Sequence, residues 1–345
     1  MNMDFLKPLF DEELNSEKDD IEIVGIVFDR SRILEVLDHE AYKNAFNDWL
    51  NGWQGQLLDK ANEILELHDN KGRFEQLTRT LRAGNLVPFV GAGLSIPSGY
   101  PSWTKFLYQC CNESSISEKE LKTLLDDGCY EEAAQSLYDD LTAPVFNELL
   151  ETTFGKDNLI QGAVNYLPFL FNDKHIITTN FDCVIEKIYS NQGVPFDGGA
   201  IKSGKSLTEV VRCLMTTPRL LIKLHGKCEL VTERVLLKQE YDAAYHNTGN
   251  VSTFFDRAIF HNSLLFLGAS LNIDRTILAM ERIAGEKGHD MLPRHYAFLE
   301  LKDTDDRAER KRFLGRANIF PIWYPEGEHD ESLEALLFKL IKDNE

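Results

Sequence analysis

Short apolar runs, each stopping at glycine or at polar residues, recur along the chain with amphipathic stretches between them. Leu86–Val90, His175–Thr179, Arg219–Leu224, Leu264–Gly268, His295–Leu299 and Asn318–Trp323 have the length and composition of buried strands. Phe181–Ser190, Arg275–Ile283, Asp303–Leu314 and Glu331–Ile341 carry helical periodicity between and after them. Apolar strands alternating with amphipathic helices predict an α/β protein with a doubly wound, Rossmann-like parallel sheet. Upstream, Arg73–Arg82 reads as a helix stopping at Gly84, and Ile21–Phe28 as one strand. Arg32–Leu67 has mostly helical periodicity, with Trp49, Trp53, Leu57, Leu58, Ile64 and Leu65 at its apolar positions. Residues 97–171 read as helical and irregular, broken by Pro101, Pro144 and Pro168. The division this predicts is a mostly helical extension over 1–73 and a nucleotide-fold domain over 74–345, with 97–171 a helical insertion. The extension is either a cap packed on the core or a surface for self-assembly or partner docking. No internal repeat or low-complexity segment interrupts the pattern.

Composition narrows the partners. The 345 residues carry a formal net charge of −19, which argues against a nucleic-acid backbone as direct ligand. The first residues, MNMDFLKPLFDEELNSEKDD, lack the basic flank and apolar core of a signal peptide, and no later run is long enough to span a bilayer. A cytoplasmic protein without membrane contact is expected. Cys110, Cys111, Cys129, Cys183, Cys213 and Cys228 are scattered without a CxxC pair, so no zinc module and no metal are expected.

The stretch with the most chemistry is Asn85–Trp103, in which an apolar run meets Gly91-Ala92-Gly93 and then Leu94, Ser95 and Ile96, able to open a helix. Two glycines permit a tight turn and close ligand approach, and a helix N-terminus presents N–H groups to phosphate. Such a turn suits a dinucleotide, although the third glycine of the usual fingerprint is replaced by Ile96. Three other strands end in polar residues: Thr179-Asn180-Phe181-Asp182, Lys223-Leu224-His225-Gly226 and Gly268-Ala269-Ser270. In an open parallel sheet such ends converge on one crevice.

Taken in order, GAGxS, TTNxD, KLHG and GxS resemble the sirtuin family, and in particular its bacterial SIR2-like branch in antiviral defence systems. The resemblance runs from about Phe74 to the end of the sequence. It implies that Gly91, Ala92, Gly93, Ser95, Thr179, Asp182, Gly268, Ser270 and Asp274 bind NAD+, that Asn180 positions ribose and water, and that His225 is the base. Asp182 would bind the nicotinamide amide or cap a helix, and Asp274 also has a structural reason to stand at a helix start. The 97–171 insertion becomes a lid over the nucleotide. Lysine deacylases of the family carry four zinc cysteines after HG, a Gln where Thr179 stands, and an Arg in the loop after GAGxS. None of these is present, and Trp103 in that loop reads as packing in the lid. His175 and His295 read as satisfied core histidines.

The resemblance therefore implies an NAD+ glycohydrolase that depletes NAD+ in abortive infection. A lysine deacylase and a non-catalytic NAD+ or ADP-ribose binding module are the alternatives. Because the sequence ends directly after the last helix, control is expected from homo-oligomerisation or a separate partner, such as the HerA-like ATPase of related two-component systems. Gly199–Ser206 matches the P-loop pattern, but Pro195 and Asp197 spoil the strand that should precede it, so it reads as a surface loop.

Overall fold

The computed structural model describes residues 3–16, 21–24, 26–214, 216–246, 248–258, 262–272 and 275–345. Seven parallel strands form one sheet: β3 (Leu86–Val90), β4 (Ile176–Thr178), β5 (Ile201–Ser203), β6 (Leu221–Lys223), β7 (Ser263–Leu267), β8 (His295–Leu301) and β9 (Ile319–Pro325). Their order is β5-β6-β4-β3-β7-β8-β9, so β4, β5 and β6 lie to one side of β3, with β6 between β4 and edge strand β5, and β7, β8 and β9 build outward to the other. This doubly wound order puts the switch between β3 and β7 at the middle of the sheet. The crevice of such a sheet opens at the carboxyl ends of the strands flanking the switch.

The central strands bury both faces, which is why β3 and β7 read as unbroken apolar runs. On β7, Leu265 and Leu267 enter one core and Leu264 and Phe266 the other. On β8, Tyr296 and Phe298 alternate with Ala297 and Leu299 in the same way. The first core is closed by the N-terminal helices, the insertion helices and the helix His329–Asn344; the second includes Phe254, Phe255, Ile277, Met280 and Leu314 from the opposite helical layer.

The N-terminal residues hold two corrections to the sequence reading. Ile21–Phe28 is not one strand: the chain reverses after Ile23, and β1 (Ile21–Ile23) pairs antiparallel with β2 (Ile26–Phe28). The helical stretch divides at Asp38 into Arg30–Leu37 and His39–Leu65, and the Asp38 side chain caps the second by accepting from the Ala41 N–H. Helix Asn70–Arg82 then leads into β3. The insertion forms four longer α-helices, Trp103–Asn112, Glu118–Asp126, Tyr130–Leu141 and Ala143–Phe154, before a 3₁₀ turn and the short helix Leu167–Leu170 return the chain to β4. A capping box at Ser117 and Glu120 fixes the start of the second.

The P-loop-like segment is not a surface loop. Ile201–Ser203 is edge strand β5, and Gly204–Glu209 follows as a 3₁₀ turn. A strand fills the place where a phosphate loop would stand, and Gly204 (φ +50°) packs against Glu233.

Candidate active site

All the polar strand ends lie on one edge because every strand runs the same way. The Gly-rich turn and the β7 turn interlock there: Gly91 N–H donates to Leu267 O at 2.9 Å and Gly93 N–H to Gly268 O at 2.8 Å. A Cβ on Gly91 would stand 2.6 Å from Gly268 O, and one on Gly268 (φ +65°) 2.5 Å from Leu94 N. These glycines are thus required first by the contact between the two turns. The helix that follows is a 3₁₀ helix, Ala92–Ser98, with Pro97 inside it. Leu94 N–H bonds Gly91 O, so three of the turn's N–H groups, those of 91, 93 and 94, already have protein partners. Ala92, Gly93, Gly268 and Ala269 remain partly exposed, and Ser270 is exposed. Asp274 lies outside the described residues.

Asn180 and His225 stand on neighbouring strands, each two residues beyond the paired Thr178 and Lys223. Asn180 is buried, and its Nδ2 donates to Gly91 O at 3.0 Å and to Ser95 Oγ at 3.1 Å. Both contacts aim the amide oxygen away from the Gly-rich turn. Thr178 braces the loop from below, its hydroxyl donating to Val90 O and accepting from Asn180 N–H. Thr179 is half-buried and bonds through its backbone to Val90.

Asp182 Oδ1 accepts from Val184 N–H at 3.0 Å, the helix-start role open to it in the sequence. Burial raises its carboxyl above the ordinary value, against Lys223, the Val184 N–H and the Ser95 hydroxyl, which all act to lower it. Lys223 was not foreseen as part of the site. It is fully buried, with Nζ 2.6 Å from Asp182 O and 3.0 Å from Glu186 Oε1. Burial alone would lower this ammonium, but Glu186, Cys183 and Asp182 outweigh it and hold it above its ordinary value. The buried pair staples the 180–182 loop to β6. A lysine inside the apolar run LLIKL was the available signal.

His225 is held at both ring nitrogens. Nε2 lies 2.9 Å from Tyr245 Oη and Nδ1 3.4 Å from Tyr241 Oη, both on helix Lys238–Tyr245. The rings stand edge to face, with centroids 5.1 Å apart for Tyr241 and 6.1 Å for Tyr245. Tyr245 Oη also meets Thr276 Oγ1 at 3.2 Å, which ties the imidazole to the helix after β7. Burial pushes His225 down to about 3, so its ring is neutral at physiological pH. The two tyrosines, one helical turn apart, were also not foreseen; their spacing after HG was the only trace.

The insertion meets this edge through Arg275, which pairs with Glu131 of the insertion and, at 2.6 Å, with Asp242. Arg234 reaches from the segment after Gly226 to Asn147. Trp103 packs on Phe106 and Phe181, 5.4 and 6.3 Å between centroids. An apolar hollow lined by Val87, His175, Ile177, Ile222 and Leu264 lies at the opposite end of the strands. Among the described residues, no group of three or more His, Cys, Asp or Glu side chains is arranged to hold a metal, and no helix is long and apolar enough to cross a membrane.

An anchored amide beside a neutral imidazole can orient a hydroxyl or a water and accept its proton. Residues 174–322, which run from β4 into β9, match the SIR2-like domain family. That match covers less than half of the chain. Outside the matched residues, the interlocked Gly-rich turn on β3 lies on the same edge of the sheet. Similar proteins include the NAD(+) hydrolase ThsA of Cytobacillus dafuensis, 26% identical over 239 residues that cover 68% of this chain and 45% of that protein. Another is the defense-associated sirtuin 2 of Bacillus subtilis, 27% identical over 218 residues, covering 62% and 21%. The NAD(+) hydrolase ThsA of Acinetobacter baumannii is 24% identical over 216 residues, covering 63% and 42%. The chain spans less than half the length of each of these three relatives. These matches support a SIR2-like defence family.

Proposed function

We propose that this protein is an NAD+ hydrolase of the SIR2-like antiviral type, converting NAD+ and water to nicotinamide, ADP-ribose and a proton. The observation that carries the reading is the placement of Asn180 and His225 just past the ends of the paired strands β4 and β6, with Asn180 tied to the Gly-rich turn through Gly91 and Ser95. The names of the ThsA relatives support the same substrate.

Nicotinamide leaves as a neutral molecule because it begins as a pyridinium, so its departure needs no proton. The ribose is left with oxocarbenium character, and a water must be brought to it. The amide oxygen of Asn180 accepts from that water or from a ribose hydroxyl. The neutral imidazole of His225 accepts the proton that water loses. With its basicity depressed to about 3, His225 is a weak base. A weak base suffices here, because water becomes strongly acidic as its oxygen bonds to the cationic carbon.

Within this reading the 97–171 insertion covers the nucleotide, and residues 1–73 serve assembly or docking in the cytoplasm. Exposed Val24, Ile26, Val27, Val36 and Leu37 on the β1–β2 hairpin and the next helix support that role for the extension. A second copy or a HerA-like ATPase is the partner proposed. The deciding experiment incubates the purified protein with NAD+, alone and with the product of the neighbouring gene, and follows nicotinamide and ADP-ribose by chromatography. Release that disappears in His225→Ala supports the hydrolase; release only in the presence of an acylated peptide would replace it with a deacylase.

A further inference from the structure

His329 opens the last helix, His329–Asn344, far in sequence from every motif above. That helix folds back across the sheet from β9 and brings its first residue to the Gly-rich turn. The imidazole Nδ1 lies 2.6 Å from the hydroxyl of Tyr324, a buried residue of β9, and the two rings meet at 63° with centroids 5.8 Å apart. The other nitrogen, Nε2, is buried and has no hydrogen-bond partner among the described residues. It lies 2.7 Å from the point a Cβ on Gly93 would occupy. A buried ring nitrogen without a partner is costly unless something at the site satisfies it.

We propose that His329 is a ligand-contacting residue of this site, with Nε2–H donating to the diphosphate of a dinucleotide seated on the Gly91–Gly93 turn. The proposal rests on the NAD+ reading above. Three of the turn's own N–H groups are committed to protein carbonyls, so the turn needs a further donor for a diphosphate, and His329 faces it. When the Tyr324 hydroxyl donates to Nδ1, the ring proton sits on Nε2, on the side of Gly93. Glycine at 93 lets the turn come this close to Nε2, where any side chain would collide with it. Three carboxylates follow on the same helix, Asp330, Glu331 and Glu334. Burial and its acidic neighbours push Glu334 up to about 7, which reduces the negative charge of this helix at neutral pH.

The test is calorimetric binding of ADP-ribose and of adenosine to the full chain and to His329→Ala and His329→Gln. Loss of one charge-assisted bond should raise the ADP-ribose Kd of His329→Ala about tenfold and leave adenosine binding unchanged. The glutamine variant keeps a donor and should stay within about threefold of wild type. In turnover the effect should fall on KM for NAD+ more than on kcat. Unchanged ADP-ribose binding in His329→Ala overturns the contact while leaving the NAD+ reading intact. An equal loss for adenosine and ADP-ribose also overturns it, since a packing residue would act that way. Wild-type protein that binds neither ADP-ribose nor NAD+ overturns the NAD+ reading and this proposal with it. If the alanine variant does not fold, the comparison passes to Tyr324→Phe, which releases Nδ1 and should weaken ADP-ribose binding about threefold with adenosine unaffected.

Discussion

Asn180 Nδ2 donates to the carbonyl oxygen of Gly91 across the gap between β4 and β3, at 3.0 Å. Gly91 O can only accept, so the contact fixes which end of the amide faces the turn. Asn180→Asp keeps the shape and sets a carboxylate against that carbonyl. Both Asn180→Asp and Asn180→Ala should lower kcat by about 10²- to 10⁴-fold, with far-UV circular dichroism unchanged for the alanine variant. Full turnover in either variant would remove Asn180 from the chemistry.

His225 depends on Tyr245 more than on Tyr241, because the first contact is 2.9 Å and the second 3.4 Å. Tyr245→Phe also releases Thr276 Oγ1. Loss of an orienting partner commonly costs about tenfold in activity, so Tyr245→Phe should reduce kcat/KM by about that factor and Tyr241→Phe by less. His225→Ala should cost about 10²-fold or more. Steady-state kinetics on the three variants give the order directly, and a larger effect for Tyr241→Phe would contradict it.

Much of the sheet was legible because central strands are apolar on both faces and end at glycine or at polar residues. Leu86–Val90 was read with its observed limits for that reason. Strands β4 and β6 are shorter than their apolar runs, since pairing stops at Thr178 and Lys223 while the chain turns toward the crevice. Edge strand β5 was missed because its three residues carry no apolar run, and the fold gives them a partner on one side only. The Ile21–Phe28 hairpin was missed because its pattern is continuous across the reversal. Motif residues on strand ends could be brought together from sheet topology alone. Tyr241, Tyr245, Lys223 and His329 could not, because each reaches the edge through a helix or a buried face whose packing no local pattern encodes.

The interlocked turns make Gly268 a stability residue. With φ at +65° and a Cβ 2.5 Å from Leu94 N, Gly268→Ala adds both backbone strain and a clash with main chain. The expected loss is about 2 kcal/mol or more, seen as a lower denaturation midpoint. Ser270→Ala, on an exposed side chain two residues away, should change stability by less than about 0.5 kcal/mol. Any loss of NAD+ affinity in Ser270→Ala would then belong to the ligand and not to the fold.

Two histidines at strand starts set an acid limit on the fold. His295 Nδ1 accepts Leu264 N–H at 3.0 Å, and His175 Nδ1 accepts Leu220 N–H at 3.1 Å, so each imidazole serves the sheet only while that nitrogen is unprotonated. Burial pushes His295 down to about 3, from an ordinary value near 6.5, and lowers His175 as well. The unfolded chain therefore binds more protons below pH 6.5. Stability from His295 is fully present above that pH and is lost as pH falls toward 3, at up to about 1.4 kcal/mol per pH unit. Glu334, pushed up to about 7, acts in the opposite sense, so the imidazole's share must be read as a difference. His295→Asn keeps an acceptor for Leu264 N–H but does not titrate. Urea unfolding at pH 7.5 and pH 5.0 should show wild type losing about 2 kcal/mol more than His295→Asn between the two. Equal losses would mean that His295 titrates alike in folded and unfolded chains, which its burial and its bond to Leu264 argue against.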